Sequence, residues 1–318
     1  MRPKIWLALL IALTLAFSLA ACGGNGGVDS RPSEPEQPEI QEPDPEYPVT
    51  VGSYFVNARP GRVLSLAPAI TEKLCDLGFQ SRLTGISRHC DFPPSITGLP
   101  RYGTAMLPSL NEILDAAPHL VIFATRPPAD AMETLLDAGI DVVVLPSYHS
   151  SLAELLDTYL ALSAVMEGRT TGTAMGERFA SEMQARIGEI AAIPPEEERD
   201  EPKKALYLRR LDFTVATGDT LEGELLERVG FINIAADQKN WTFDPDDANS
   251  QEGRAAFNSV DIIFCDERDV TIKMLEQSAF YKGLPAVLKD YFLYIDCTAF
   301  ERQSLRMLDE LELMARQK

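Results

Sequence analysis

The stretch SRHCDFPP, Ser87 to Pro94, sets a histidine, a cysteine and an aspartate side by side in a chain with only three histidines. Three chemistries suit those residue types. As a metal site the triplet lacks company: His119 and His149 lie far along the chain, and no two histidines fall four residues apart on a helix. As a catalytic dyad, His89 and Cys90 fail on geometry, since neighbours in extended chain point to opposite faces. The third reading puts His89 on the lip of a cleft, lining a ligand or coordinating a metal within it. The chain has no GxxxxGK[ST], GxGxxG or GxSxG, and no catalytic residues are expected.

The elements that must position this stretch follow one rhythm. RVLSLAP, RLTGIS, HLVIFAT and IDVVVLP read as strands, separated by the helical patterns AITEKLCDLG, SLNEILDAAP and ADAMETLLDAG. Strict alternation implies a parallel sheet covered on both faces, giving a first lobe over residues 59–146. The rhythm then breaks into two consecutive helices over 147–193. In the second, Met175, Phe179, Met183 and Ile187 fall four apart as one apolar stripe, a strut crossing between lobes. Alternation resumes with KALYLRR, LEGELLERVG, VDIIFC, IKMLEQS and YFLYIDC and closes on the helix ERQSLRMLDELELMARQK, a second lobe over 203–318. The fold class is therefore α/β, two lobes with parallel sheets flanked by helices and joined by one long helix.

Ligands of open α/β sheets bind beyond the carboxyl ends of the strands. In the first lobe those ends bring forward Pro68, Arg88, His89, Tyr102 and Arg126. In the second they bring forward Arg209, Phe213, Trp241, Phe243, Arg268, Phe300 and Arg302. Trp241 and Phe243 sit in the polar stretch KNWTFDPDD, where two aromatics make a platform for a flat ligand. The arginines suit carboxylates, amides or phosphates.

The chain opens MRPKIWLALLIALTLAFSLAAC, two basic residues and an apolar run closing on small residues and Cys22. This reads as a lipoprotein signal over residues 1–21, with cleavage leaving Cys22 to carry lipid. Several acyl chains anchor stably, at roughly 0.8 kcal/mol per buried methylene. Residues 22–58, rich in glycine and then in proline and glutamate, read as a disordered tether. The formal charge of −19 with no basic cluster argues against nucleic acid as partner. Outside the cytoplasm disulfides are permitted. Cys265 and Cys297 each end a strand-like run, and pairing and free thiols both remain open for Cys75, Cys90, Cys265 and Cys297.

Two lobes on a helical strut behind a lipid anchor resemble the helical-backbone class of substrate-binding lipoproteins of ABC importers, which handles cobalamin, haem and ferric siderophores. RVLSLAPAITEKLCDLG is similar to that family's opening strand and helix, with Ala67 ahead of Pro68. GISRHCDFPP and AFERQSLRM resemble segments of its cobalamin-binding members. PSLNEILDAAPHLVIF and TLEGELLERVGFINIA match a helix–strand and a helix–exit pattern, with His119 where an aspartate is usual. The resemblance implies a monomer that captures a corrinoid such as cobalamin, with a ferric siderophore or haem as alternatives. It implies delivery to a permease dimer with cytoplasmic ATPase subunits. Glu112 and Glu252 fall at or near the positions that dock one lobe each on the permease.

Overall fold

The computed structural model describes residues 44–195 and 199–318. The expected signal sequence, Cys22 and most of the expected tether lie outside the described residues. Structure begins earlier than expected, with an antiparallel hairpin of β1 (Val49–Val51) and β2 (Tyr54–Val56). This corrects the reading of residues 22–58 as tether throughout. YPVTVGSYFV carries β-branched and aromatic residues on both sides of a Gly-Ser turn, which is a hairpin pattern. Tyr47, Val49 and Val56 are buried, and the Tyr47 hydroxyl donates to the Val165 carbonyl.

The first lobe runs β3 (Val63–Ser65), α1 (Pro68–Asp76), β4 (Leu83–Ile86), α2 (Leu110–Ala116), β5 (Leu120–Phe123), α3 (Ala129–Asp137) and β6 (Asp141–Val144). Its sheet is all parallel in the order β4-β3-β5-β6. Helices α4 (Leu152–Glu167) and α5 (Thr171–Ala191) follow. The second lobe contains β7 (Lys204–Arg210), β8 (Thr214–Val215), α6 (Leu221–Arg228), β9 (Ile232–Asn233), α7 (Pro245–Asn249) and α8 (Gln251–Asn258). It continues through β10 (Ile262–Cys265), α9 (Ile272–Gln277), α10 (Pro285–Leu288), β11 (Phe292–Tyr294), α11 (Cys297–Glu301) and α12 (Met307–Ala315). There β11, β10, β7 and β9 are parallel and the short β8 is antiparallel to β7.

Alternate side chains of a strand point to opposite faces, and here both faces are buried, so the strands read as unbroken apolar runs. Leu120 and Ile122 of β5, with Ala205 and Tyr207 of β7 and Phe264 of β10, join one central cluster. Val121 and Phe123 face a separate cluster under α2 and α3, and Leu206, Leu208 and Ile263 one under α8 and α9. The central cluster is continuous from Val63 and Ile70 to Leu225, Phe231 and Met314. One core thus serves both lobes.

The strut forms as its stripe requires. It spans 21 residues, about 31 Å at 1.5 Å per residue. Met183 and Ile187 are buried, and Phe179 stacks on Tyr159 at 4.5 Å. Gly172 makes the antiparallel approach of α4 and α5 feasible, since a Cβ there would meet the Ser163 carbonyl oxygen at 2.3 Å. The C-terminal helix is shorter than expected. A turn at residues 302–306, with Gln303 at φ +52°, separates α11 from α12. All four described cysteines are free thiols. No described helix is long and apolar enough to cross a membrane.

Candidate functional site

The loop after β4 does part the two side chains, through a turn closed by the Cys90 N–H on the Ser87 carbonyl rather than through extended chain. Cys90 turns inward, buried, with its Sγ 3.2 Å from Thr71 Oγ1, and burial pushes its thiol pKa up, away from nucleophilic use. His89 turns outward and is exposed, its backbone N–H donating to Ser87 Oγ. Arg101, which the sequence did not single out, braces the loop by donating to the carbonyls of Ser87, Arg88 and Cys90. The three histidines occupy separate environments. His119 Nδ1 accepts from the Gly61 N–H, while His149 is buried between Gln303 and Thr158.

The loop then reaches the other lobe. Asp91 lies 3.7 Å from the Arg302 guanidinium, and Phe92 lies under that of Arg306 at 4.6 Å. Behind them, α1 meets the turn between α11 and α12. The buried Glu72 carboxylate accepts from Arg306 Nε at 2.9 Å and Nη2 at 2.8 Å, and from the Ser304 hydroxyl at 2.7 Å. Asp76 accepts from the Leu305 N–H and the Tyr159 hydroxyl. Lys73 is fully buried, donates to the Arg302 carbonyl, and is brought down to about 7 by that burial. Two motifs far apart in sequence, AITEKL and ERQSLRM, are thus the two halves of one interlobe tie.

Gln303 is the second tie. Its side-chain oxygen accepts from the His149 backbone N–H and faces His149 Nδ1, both at 2.8 Å, and its Nε2 donates to the His149 carbonyl and to Glu222 Oε1. The pattern assigns His149 the Nδ1–H tautomer, with Nε2 accepting from Thr158 Oγ1 at 2.7 Å. Burial lowers His149 to about 4 and raises Glu222 to about 8. The second oxygen of Glu222 is buried without a partner.

Trp241 donates its Nε1–H to the Tyr148 hydroxyl at 2.6 Å, across from the second lobe to the segment that leaves the first. In the second lobe, Arg209 is held by Asp269 and by Glu301 at 2.8 Å, and Arg268 by Asp266 and Asp296. Arg209, Asp212, Asp269 and Met274 line an open recess of about 520 Å³. Pro68 opens α1 and is half-buried. Arg88, in the His89 loop, is exposed.

Five expected ligand contacts sit elsewhere. Phe243 is 4 % exposed and packs on Phe257, and Phe300 is wholly buried beside Tyr207. Phe213 turns into the aromatic group of Phe257, Phe280 and Tyr281. Tyr102 covers Gly85 on the outer face of the first lobe's sheet. Arg126 opens into a recess with Phe55 and Leu136, lined by first-lobe residues and the hairpin. Phe213, Phe243 and Tyr102 are claimed by apolar clusters on the outer faces of the sheets, Phe300 by the central core, and Arg126 is exposed. Glu112 and Glu252 are exposed in the first turns of α2 and α8. Gly253 beside Glu252 is required there, since a Cβ would lie 1.9 Å from the Asp247 carbonyl oxygen.

Residues 63–298 match the periplasmic binding protein family. An ABC transporter substrate-binding lipoprotein of Bacillus subtilis is 23% identical over 325 residues, covering 99% of this chain and 96% of the relative. A vitamin B12-binding protein of Pectobacterium atrosepticum is 27% identical over 190 residues, covering 57% of this chain and 64% of the relative. Among solved structures, a periplasmic haem-binding protein of Vibrio cholerae superposes with TM-score 0.65 at 22% identity, over 80% of this chain and 97% of that one. The vitamin B12-binding protein of the same organism gives 0.58 at 21%, over 80% and 95%. The chain belongs to the periplasmic binding protein family.

Proposed function

We propose that the protein captures a corrinoid at the mouth between its lobes and hands it to the permease of an ABC importer. The observation that carries this choice is electrostatic. Arg209 and Arg268 each lie between two carboxylates, and Arg302 faces Asp91. A wall whose cations are already neutralised suits a large ligand fringed by neutral amides better than a highly anionic ferric catecholate, which needs free positive charge. The Trp241 indole supplies a flat apolar contact and the exposed His89 a polar one. Relatives named for vitamin B12 or cobalamin binding support the same choice. The continuous core and the ties at Glu72 and Gln303 suit a site that is largely pre-formed, which limits the ordering cost of binding.

Haem is the second reading, favoured by Arg88, an exposed guanidinium with no described carboxylate within 4.0 Å and suited to a propionate. In the transport reading Cys22 carries the lipid anchor, residues 22–43 give reach, and Glu112 and Glu252 dock one lobe each on the permease. Equilibrium dialysis against cyanocobalamin, haemin and a ferric catecholate tests the ligand. Retention of cyanocobalamin at micromolar concentration is expected, and retention of an iron ligand alone would sink the corrinoid assignment. A corrinoid absorption shift lost in His89→Ala would mark cobalt ligation by His89, whereas an unshifted spectrum would mark simple lining.

A further inference from the structure

Trp241 is presented on an unusually constrained support. Asn240 and Trp241 both adopt left-handed φ, 57° and 58°, which costs energy for residues with a Cβ and persists where the surroundings enforce it. The enforcement is visible. The Asn240 N–H donates to both Asp219 oxygens, the Trp241 N–H to Thr217 Oγ1, and the Trp241 carbonyl accepts from Val215. Thr217 itself donates to Asp219. The indole backs edge-on onto the buried Tyr207 ring at 6.1 Å.

Its polar edge meets something different. Tyr148 follows β6, in the segment that leaves the first lobe, and its ring stays 42% exposed while its hydroxyl accepts the indole N–H. The next residue, His149, is fixed by Gln303, so the Tyr148 backbone is anchored and a ring movement would have to come from its own χ angles. The two rings, 6.3 Å apart and tilted by 52°, join the lobes through side chains alone.

We propose that Tyr148 is a gate residue, occupying the indole edge until ligand displaces it. This rests on the interlobe mouth being the binding site. A ligand that stacks on Trp241 and offers an amide or carboxylate oxygen takes over the Nε1–H, and the tyrosine ring swings aside. Because the closed pair must open first, it lowers apparent affinity by the fraction of molecules that are closed. Tyr148 therefore opposes binding whereas Trp241 supports it, and the two substitutions have opposite signs.

The test uses the full chain in detergent. Tyr148→Phe removes the hydroxyl, which accepts the indole N–H on one side and faces Glu222 on the other. It should bind cyanocobalamin about fivefold more tightly, the worth of one neutral hydrogen bond, with a faster association rate, while Trp241→Phe binds more weakly. Weaker binding by Tyr148→Phe would make Tyr148 a ligand contact, and an unchanged affinity and rate would make the pair incidental; either overturns the gate. A ligand-free readout separates this from the ligand assignment. In the protein cleaved ahead of Cys22, Trp241 is the only indole, and Tyr148→Phe should raise its quenching by acrylamide. If the wild type binds neither cyanocobalamin nor haemin, the corrinoid and haem readings fail, and unchanged quenching would still overturn the gate by itself.

Discussion

Replacing Glu222 by Gln should remove a pH dependence of stability that the wild type carries across neutral pH. Glu222 is wholly buried; Gln303 donates to one of its oxygens and the other has no partner. Burial therefore raises its pKa from 4.5 to about 8. The folded state holds a proton that the unfolded chain releases above about 4.5, so the stability present at low pH is lost as pH rises through the window from 4.5 to about 8. The slope approaches about 1.4 kcal/mol per pH unit. Summed from about pH 5 to about pH 8, the loss is about 3 kcal/mol. Glutamine keeps the acceptor for Gln303 Nε2 and has no proton to lose. Urea unfolding of both proteins at intervals across that range should give curves that nearly meet at the acid end and diverge upward for Glu222→Gln. Parallel curves would refute the reasoning, for the carboxyl would then not be held protonated by its burial.

Four further outcomes are expected. His149→Asn should flatten the acid limb of the same profile: the imidazole is held down at about 4 by burial, so the wild type loses stability as pH falls from 6.5 through about 4. Arg306→Met strands the buried Glu72 carboxylate and should cost about 3–5 kcal/mol in urea unfolding, whereas Arg178→Met, whose pair with Glu182 is exposed on both sides, should cost under about 1 kcal/mol. Glu112→Arg and Glu252→Arg should abolish uptake of radiolabelled cyanocobalamin by cells while dialysis affinity is unchanged. Cys22→Ser should move the protein from the membrane pellet to the soluble fraction on cell fractionation.

The periodic parts of the fold were legible because periodicity and burial coincide there. The runs LVIF and IIFC are apolar at every position because both sheet faces are covered, and the Met175–Ile187 stripe faces the core that it was expected to face. The site was legible only in part. The outward turn of His89 follows from local geometry, but the fates of Phe213 and Phe243 are decided by Phe257 and Phe280, residues distant in sequence that no local pattern ties to them. Gln303 carried no signal, being an uncharged residue inside a run that reads as one helix. Its role arises from the break that sets its left-handed backbone and from partners 154 and 81 positions away. Tyr148 escaped notice for a similar reason: its importance lies in a partner 93 positions along the chain.

The shared core also bears on inheritance and repair. Since the two lobes have no separate apolar interiors on their facing sides, neither half is a module that could be swapped into another receptor intact. A new ligand preference must therefore come from substitutions at the loop tips, with the spine and both inner sheet faces kept together. Damage to either lobe should be felt as loss of the entire molecule in one cooperative step, which makes the receptor an all-or-none substrate for the proteases that patrol the cell envelope.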